Sequence, residues 1–69
     1  MTDFPLGLPL TPGCTVLIAA VDDLPEHRFL VEEVFEDCIT GIAQSGPLAG
    51  AYGEPDLSLV IRVLQEAPR

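Results

Sequence analysis

The sequence predicts a small all-β protein of about five short strands with a proline-rich N-terminal arm. The run TVLIAAV (15–21) is apolar and β-branched and is bounded by turn residues, which is typical of a strand. Residues 38–56, CITGIAQSGPLAGAYGEPD, hold four of the six glycines and two of the seven prolines, which indicates turns between short elements. A chain of 69 residues forms one domain, which buries about 60% of the surface of the unfolded chain.

The first 12 residues are predicted to form an extended arm. Prolines at positions 5, 9 and 12 exclude a helix or a central strand. They alternate with apolar residues, namely Phe4, Leu6, Leu8 and Leu10. These side chains either pack on the domain or fray with the arm. A Pro12-Gly13 turn then opens a single domain over residues 13–65, and residues 66–69 are expected to be a frayed tail.

The segment after the Asp22–Pro25 loop fits two templates. In residues 28–37, RFLVEEVFED, apolar residues recur at helical spacing, which favours a helix over 25–37 within an α+β fold. The β-branched and aromatic content favours a strand, and no glycine or asparagine follows to cap a helix. If 28–37 is a strand, CITGIA (38–43) is the next strand and Glu36-Asp37 is the tip of the hairpin. We favour the strand and keep the helix as the alternative.

The last element, DLSLVIRVLQ (56–65), is ambiguous in the same way. Asp56 is a suitable N-cap for a helix that faces apolar residues inward, namely Leu57, Val60, Ile61 and Leu64. As a strand, the same segment alternates, with Ile61 and Val63 on one face and Val60 and Arg62 on the other.

The charge balance restricts the partners that we expect. Eleven acidic residues against three arginines, with no lysine, give a net charge of −8. Nucleic acids and anionic membrane surfaces are bound through basic residues, so both are disfavoured. No run of about 18 apolar residues is present to cross a bilayer. We expect a protein partner with a basic patch, or a homo-oligomer, and a cytoplasmic location.

The sequence resembles small SH3-like barrels at three short motifs: PGCTV (12–16), RFLVEEV (28–34) and CITG (38–41). In that family a Pro-Gly turn opens the first strand and an acidic loop precedes a hairpin. The resemblance covers about half the chain and implies a small β-barrel that acts as an interaction module. The basic loops of the nucleic-acid-binding members are absent, as is the aromatic groove of the peptide-binding members.

Two motifs are candidates for chemical sites. The glycines from Gly41 to Gly53 are spaced G-x4-G-x3-G-x2-G, without the lysine of a phosphate-binding loop, so we expect turns. The loop Asp22–His27, DDLPEH, offers three carboxylates and the one histidine but lacks calcium-loop spacing. A metal- or ligand-binding regulator that uses this loop is the alternative function, although we predict no cofactor and no metal site.

Catalysis has little support in the sequence. Cys14 or Cys38 with His27 would supply a nucleophile and a base, but no oxyanion motif accompanies them. The two cysteines form neither a disulfide framework nor a CxxC pair, so we expect both to be reduced and buried. We therefore predict that the protein is not an enzyme and has no catalytic residues.

The remaining candidate is YGEPD (52–56). A tyrosine between glycine-rich turns, followed by two acids, is suited to protein contact because tyrosine is enriched at interfaces. The alternative is that Tyr52 covers one end of the core and Pro55 only stiffens the loop. We predict that Tyr52, Glu54 and Asp56 bind the partner of a non-catalytic interaction module or accessory subunit.

Overall fold

A computed structural model describes residues 9–68, which form one five-stranded antiparallel sheet. The strands are β1 (Thr15–Ile18), β2 (His27–Val34), β3 (Ile39–Ala43), β4 (Tyr52–Gly53) and β5 (Val60–Gln65), and a 3-10 helix (Leu57–Leu59) precedes β5. Their order across the sheet is β4-β3-β2-β1-β5. The all-β prediction is confirmed. Residues 1–8, which contain most of the predicted arm, and residue 69 lie outside the described part of the chain.

The Pro-Gly turn launches β1 as predicted, but the strand is shorter than its apolar run. The Cys14 N–H donates to the Thr11 carbonyl at 3.1 Å, and Gly13 adopts a φ of +94° that favours glycine. The strand ends at Ile18, and the Ala19 N–H donates to the Leu59 carbonyl, just before β5, at 2.8 Å. The predicted strand end at Val21 is therefore wrong by three residues.

Residues 27–43 form a hairpin, so the helix proposed over 25–37 is wrong. The Phe35 N–H donates to the Cys38 carbonyl at 2.8 Å, which places Glu36-Asp37 at the tip as predicted. The helical spacing has a physical origin in a β-bulge. Val31 is paired with Gly41 and Glu33 with Thr40, so the intervening residue of β2 has no partner in the register. Because of the extra residue, Val31 and Val34 both face the core although they are three positions apart, which is the spacing of core-facing residues in a helix.

The last element contains part of each predicted alternative. Asp56 caps only the three-residue 3-10 helix, and the chain then continues as β5. The simple alternation predicted for a strand fails because β5 shifts its register against β1 twice. The shifts leave Val60 and Val63 both buried, whereas Ile61 is exposed. Bulges again produced a three-residue spacing that a sequence pattern assigns to a helix.

The core is one cluster of buried residues and includes a residue from the arm. Leu10 is only 7% exposed and packs with the strand residues, so the described end of the arm is packed on the domain. The other buried hydrophobic residues are Cys14, Val16, Ile18, Phe29, Val31, Ile39, Ala43, Val60 and Val63. Cys14 and Cys38 are both free thiols, but Cys38 is only half-buried, which corrects its predicted burial.

The sheet is open, and not closed into the barrel that the SH3-like resemblance implies. The two edge strands, β4 and β5, are not paired with each other. With only two residues, β4 offers too few backbone groups for a closing ladder. Instead, the segment between them crosses one end of the sheet: the Ile39 N–H donates to the Pro55 carbonyl at 3.1 Å, and the Leu57 N–H donates to the Asp37 carbonyl at 2.9 Å.

Within residues 9–68, no helix has the length and apolar character needed to span a membrane.

Candidate functional site

Tyr52 is the most exposed large apolar side chain of the described chain, at 58%. It lies in the edge strand β4, opposite Ile42 of β3. A Cβ at the next residue, Gly53, would lie 3.6 Å from the Phe29 ring, so position 53 faces the core. Because successive side chains of a strand point to opposite faces, Tyr52 points outward. Its hydroxyl donates to Oε2 of Glu54 at 3.2 Å, which orients the ring.

One side of Tyr52 is an open, acidic depression of about 320 Å³, which we call the acidic face. The hairpin tip of β2 and β3 supplies Phe35, which is 48% exposed and is the second exposed aromatic ring. The full set that lines the acidic face is Glu33, Phe35, Asp37, Cys38, Thr40, Tyr52 and Glu54. This surface combines two aromatic rings with three carboxylates, which is the chemistry that attracts a cationic side chain.

Two groups on the acidic face have raised pKa values, first because of desolvation and then because of neighbouring carboxylates. Desolvation, followed by the charges of Asp37, Glu54 and Asp56, raises the pKa of the Cys38 thiol. Desolvation also raises the pKa of the Tyr52 phenol, and the Glu54 carboxylate raises it further, while a hydrogen bond with Thr40 lowers it. Cys38 is therefore a thiol rather than a reactive thiolate at neutral pH.

Tyr52 also lines an apolar groove of about 280 Å³. Residues of the β1–β2 loop, of the β3–β4 loop and of the segment before β5 contribute to its lining. It is lined by Ile18, Ala19, Val21, Leu24, His27, Phe29, Ala43, Leu48, Ala51, Tyr52, Gly53, Glu54, Pro55 and Leu59. Leu48 is 44% exposed, so the groove presents a large aliphatic side chain to the solvent.

Tyr52 and Glu54 line both the acidic face and the apolar groove. We call this pair the Tyr52–Glu54 ridge. The sequence pattern indicated both residues as candidates for partner binding, but it indicated neither Phe35 nor Leu48. The signal for Phe35 was its position next to the hairpin tip, where a side chain is seldom covered by neighbouring strands.

Asp56 has a structural task in addition to its charge. Its Oδ2 accepts the Ser58 N–H at 2.9 Å and the Ser58 hydroxyl at 2.5 Å, and so caps the 3-10 helix. Its backbone pairs with Cys38 in an isolated bridge, which brings its charge close to the acidic face. Of the three predicted partner-binding residues, Tyr52 and Glu54 line the surface, and Asp56 supports the segment that carries them.

The cap predicts a pH-dependent stability. The hydrogen bonds from the Ser58 hydroxyl and N–H lower the pKa of Asp56 below its ordinary value of 3.8. A carboxylate with a lowered pKa stabilises the fold above its unfolded-state pKa and loses that effect as the pH falls through the folded-state pKa. We expect Asp56→Ala to melt several degrees below the wild type at about pH 7, with a gap that narrows below about pH 4. Thermal melts at about pH 7 and at a pH below about 4 check this prediction, with Glu66→Ala as the control. A difference in melting temperature that does not change with pH contradicts it.

The glycine-rich loop between β3 and β4 forms turns, as predicted. Gly46 and Gly50 have φ values of +79° and +90°, which favour glycine. Two of the N–H groups in this connection donate to carbonyls of the same segment. The Ala49 N–H donates to the Gly46 carbonyl at 3.1 Å, and the Gly50 N–H donates to the Ala43 carbonyl at 2.7 Å. Gly41, the first of the spaced glycines, is instead the third residue of β3, so the turn expected there is wrong.

The Asp22–His27 loop is a tight turn with exposed acids. Val21 and Leu24 exchange two backbone hydrogen bonds, of 3.0 and 2.8 Å, and Asp22 between them has a φ of +51°. Nδ1 of His27 lies 2.9 Å from the Pro25 carbonyl oxygen. Across residues 9–68, no three side chains of the metal-binding types converge to hold an ion.

The two candidate pairs of nucleophile and base are not assembled. Cys14 is fully buried in the core. Cys38 follows the tip of the hairpin, whereas His27 begins β2 at the opposite end. A strand of this length separates them by roughly 20 Å or more, at about 3.3 Å per residue. Cys38 therefore lies too far from His27 to transfer a proton to it directly.

Comparison of the chain with protein-family models, curated proteins and solved structures finds no match.

Proposed function

We propose that this protein is a non-catalytic interaction module, or an accessory subunit, that binds a basic segment of a partner protein at the Tyr52–Glu54 ridge. The observation that carries the proposal is an exposed tyrosine held by a carboxylate between an acidic face and an apolar groove. Tyrosine has a large apolar ring and a polar end, and aromatic residues in such settings dominate binding energies. A net charge of −8 favours a cationic partner. A cytoplasmic location is part of the same proposal.

Binding of the partner through side chains suits this protein better than pairing of a partner strand with an edge of the sheet. The edge strand β4 has only two residues, and the other edge strand, β5, is interrupted by two register shifts. Short and bulged edges are the devices by which proteins prevent edge-to-edge pairing. The same edges give self-association through the sheet little support. An SH3-like relationship remains part of the proposal, and what supports it is the return of the last strand to pair with β1. A fold of that type does not by itself define a ligand.

The alternative function, a metal- or ligand-binding regulator that uses Asp22–His27, gains no supporting observation. Its carboxylates are exposed at a turn, and its helix at 25–37 is replaced by β2. The interaction module is therefore the one function that we propose.

Binding of a cationic peptide tests the proposal. The probe is a fluorescein-labelled Gly-Ser peptide with two arginines, compared by fluorescence anisotropy with the same peptide carrying two glutamates. We expect Tyr52→Ala to weaken binding of the arginine peptide about tenfold, or about 1.4 kcal/mol, because the cation loses the aromatic face. We expect Glu54→Gln to weaken binding about threefold, by loss of one charge and of the contact that orients Tyr52.

Two controls separate this site from general attraction to an acidic protein. Glu66→Gln removes one exposed charge that lies on neither surface, and Ile61→Ala removes an exposed apolar side chain of β5. We expect both to bind the arginine peptide within about twofold of the wild type. Equal weakening by Glu66→Gln and Glu54→Gln, with no effect of Tyr52→Ala, contradicts the proposal.

A further inference from the structure

The Tyr52–Glu54 ridge is shared by two surfaces of opposite character. The first contains the rings of Phe35 and Tyr52 with the exposed carboxylates of Glu33, Asp37 and Glu54, and the second is an apolar groove. A ligand that contacts Tyr52 therefore reaches both surfaces within the width of one side chain. An acidic patch alone would select a ligand only by its positive charge. Two adjacent surfaces of different character also select the order in which apolar and cationic groups follow one another along the ligand.

The apolar groove is suited to one large side chain. Its volume is about 280 Å³, and its floor is made of core residues, Ile18, Phe29 and Ala43. Leu24 and Leu48 come from the two loops on either side. Such a groove, open at the surface and backed by a rigid sheet, buries an aliphatic or aromatic side chain but offers few polar groups to orient a polar one.

The rim of the groove is acidic, which favours a cationic ligand there as well. Glu54 lines the groove directly. Val21 and Leu24 line it from the β1–β2 loop, and the two residues between them, Asp22 and Asp23, are exposed. An apolar anchor that enters the groove therefore lies near negative charge. Charge complementarity disfavours an acidic ligand and favours a basic one.

We propose that the two surfaces form one bipartite site for an extended peptide segment that carries a large apolar residue and, a few residues away, an arginine or lysine. This inference rests on the proposed function. The apolar side chain occupies the groove, and the cation lies over the rings of Phe35 and Tyr52 among the carboxylates. An extended chain advances about 3.3 Å per residue, so a separation of two to four residues spans about 7–13 Å, enough to pass one aromatic side chain.

The test uses synthetic Gly-Ser peptides with one arginine and one leucine, separated by increasing numbers of residues, and a matched peptide with the arginine alone. We expect the leucine to tighten binding about tenfold at the best spacing, by partial burial of its side chain. Leu48→Ser removes an exposed wall of the groove, so it should abolish the gain from leucine and leave the arginine-only peptide unaffected. Ile61→Ser is the matched control, because Ile61 is similarly exposed but lies outside the groove.

The outcomes separate this inference from the proposed function. If leucine adds nothing at any spacing while the arginine peptide still depends on Tyr52, the bipartite site is wrong and the interaction module stands. If neither peptide binds, both are wrong. If the gain appears only when Phe4, Leu6 and Leu8 are replaced by serine in the full chain, the arm of the protein itself occupies the groove. If sedimentation shows a dimer that Leu48→Ser dissociates, a second copy occupies it. Either of these last results overturns the inference.

Discussion

Gly41→Ala is expected to lose about 3 kcal/mol or more of unfolding free energy, because no space exists for a side chain at that position. A Cβ at residue 41 would overlap the carbonyl oxygen of Leu30 and lie 2.9 Å from the Phe29 ring. The obstacle is the backbone of the adjacent strand, which cannot rotate away as a flexible side chain can. A core of this size rarely supplies more than about 3–5 kcal/mol, so the variant should be largely unfolded at room temperature.

Gly50→Ala is the matched control for this prediction. Gly50 also has a conformation that favours glycine, with a φ of +90°, but nothing lies within 4 Å of a Cβ built there. Its cost should be limited to backbone strain, roughly 1–2 kcal/mol. Thermal unfolding followed by circular dichroism distinguishes the two, since 1 kcal/mol shifts the midpoint by about 4–8 °C in a domain of this length. Equal midpoints for the two variants contradict the close packing of β2 and β3.

The second large effect is expected for Val63→Asp, which should abolish folding at neutral pH. Val63 is fully buried, and an unpaired carboxylate in a core costs several kcal/mol. Ile61→Asp is the informative comparison. A strict alternation puts both residues on the same face, whereas the register shifts of β5 leave Ile61 38% exposed. We expect Ile61→Asp to cost about 1 kcal/mol or less. The amide signals in a two-dimensional NMR spectrum should stay dispersed for Ile61→Asp and lose their dispersion for Val63→Asp. Equal loss of folded structure in the two variants contradicts the bulged strand.

The fold class was predictable because its signals are local. The Pro12-Gly13 turn and the Glu36-Asp37 hairpin tip both depend on residue types at a few adjacent positions. The bulges were not predictable in this way. They arise where the twist of one strand must match its neighbour, so the unpaired residue of β2 is defined by Gly41 and Thr40 of β3. A pattern read along one segment therefore assigned the spacing of Val31 and Val34 to a helix.

The residues of the candidate site were also predictable only in part. Tyr52 and Glu54 were predictable because glycine and proline residues around them indicate an exposed connector. The other residues of the site come from distant parts of the sequence. Phe35 reaches the acidic face through the hairpin tip, and Leu48 reaches the groove through the β3–β4 loop. Only the order of the strands brings these residues together. Whether the sheet closes into a barrel was not predictable from sequence pattern either. Closure depends on how many residues of β4 are available to pair with the other edge strand.

Mapping of the bound peptide on the isotopically labelled protein tests the central claim most directly. Amide chemical shifts are followed by two-dimensional NMR while the leucine-arginine peptide is added. We predict the largest changes at the Tyr52–Glu54 ridge, with further changes at Phe35 and Cys38 on the acidic face and at Leu48 in the groove. Shifts concentrated on β5, or changes spread evenly over all the acidic residues, would contradict a site centred on Tyr52.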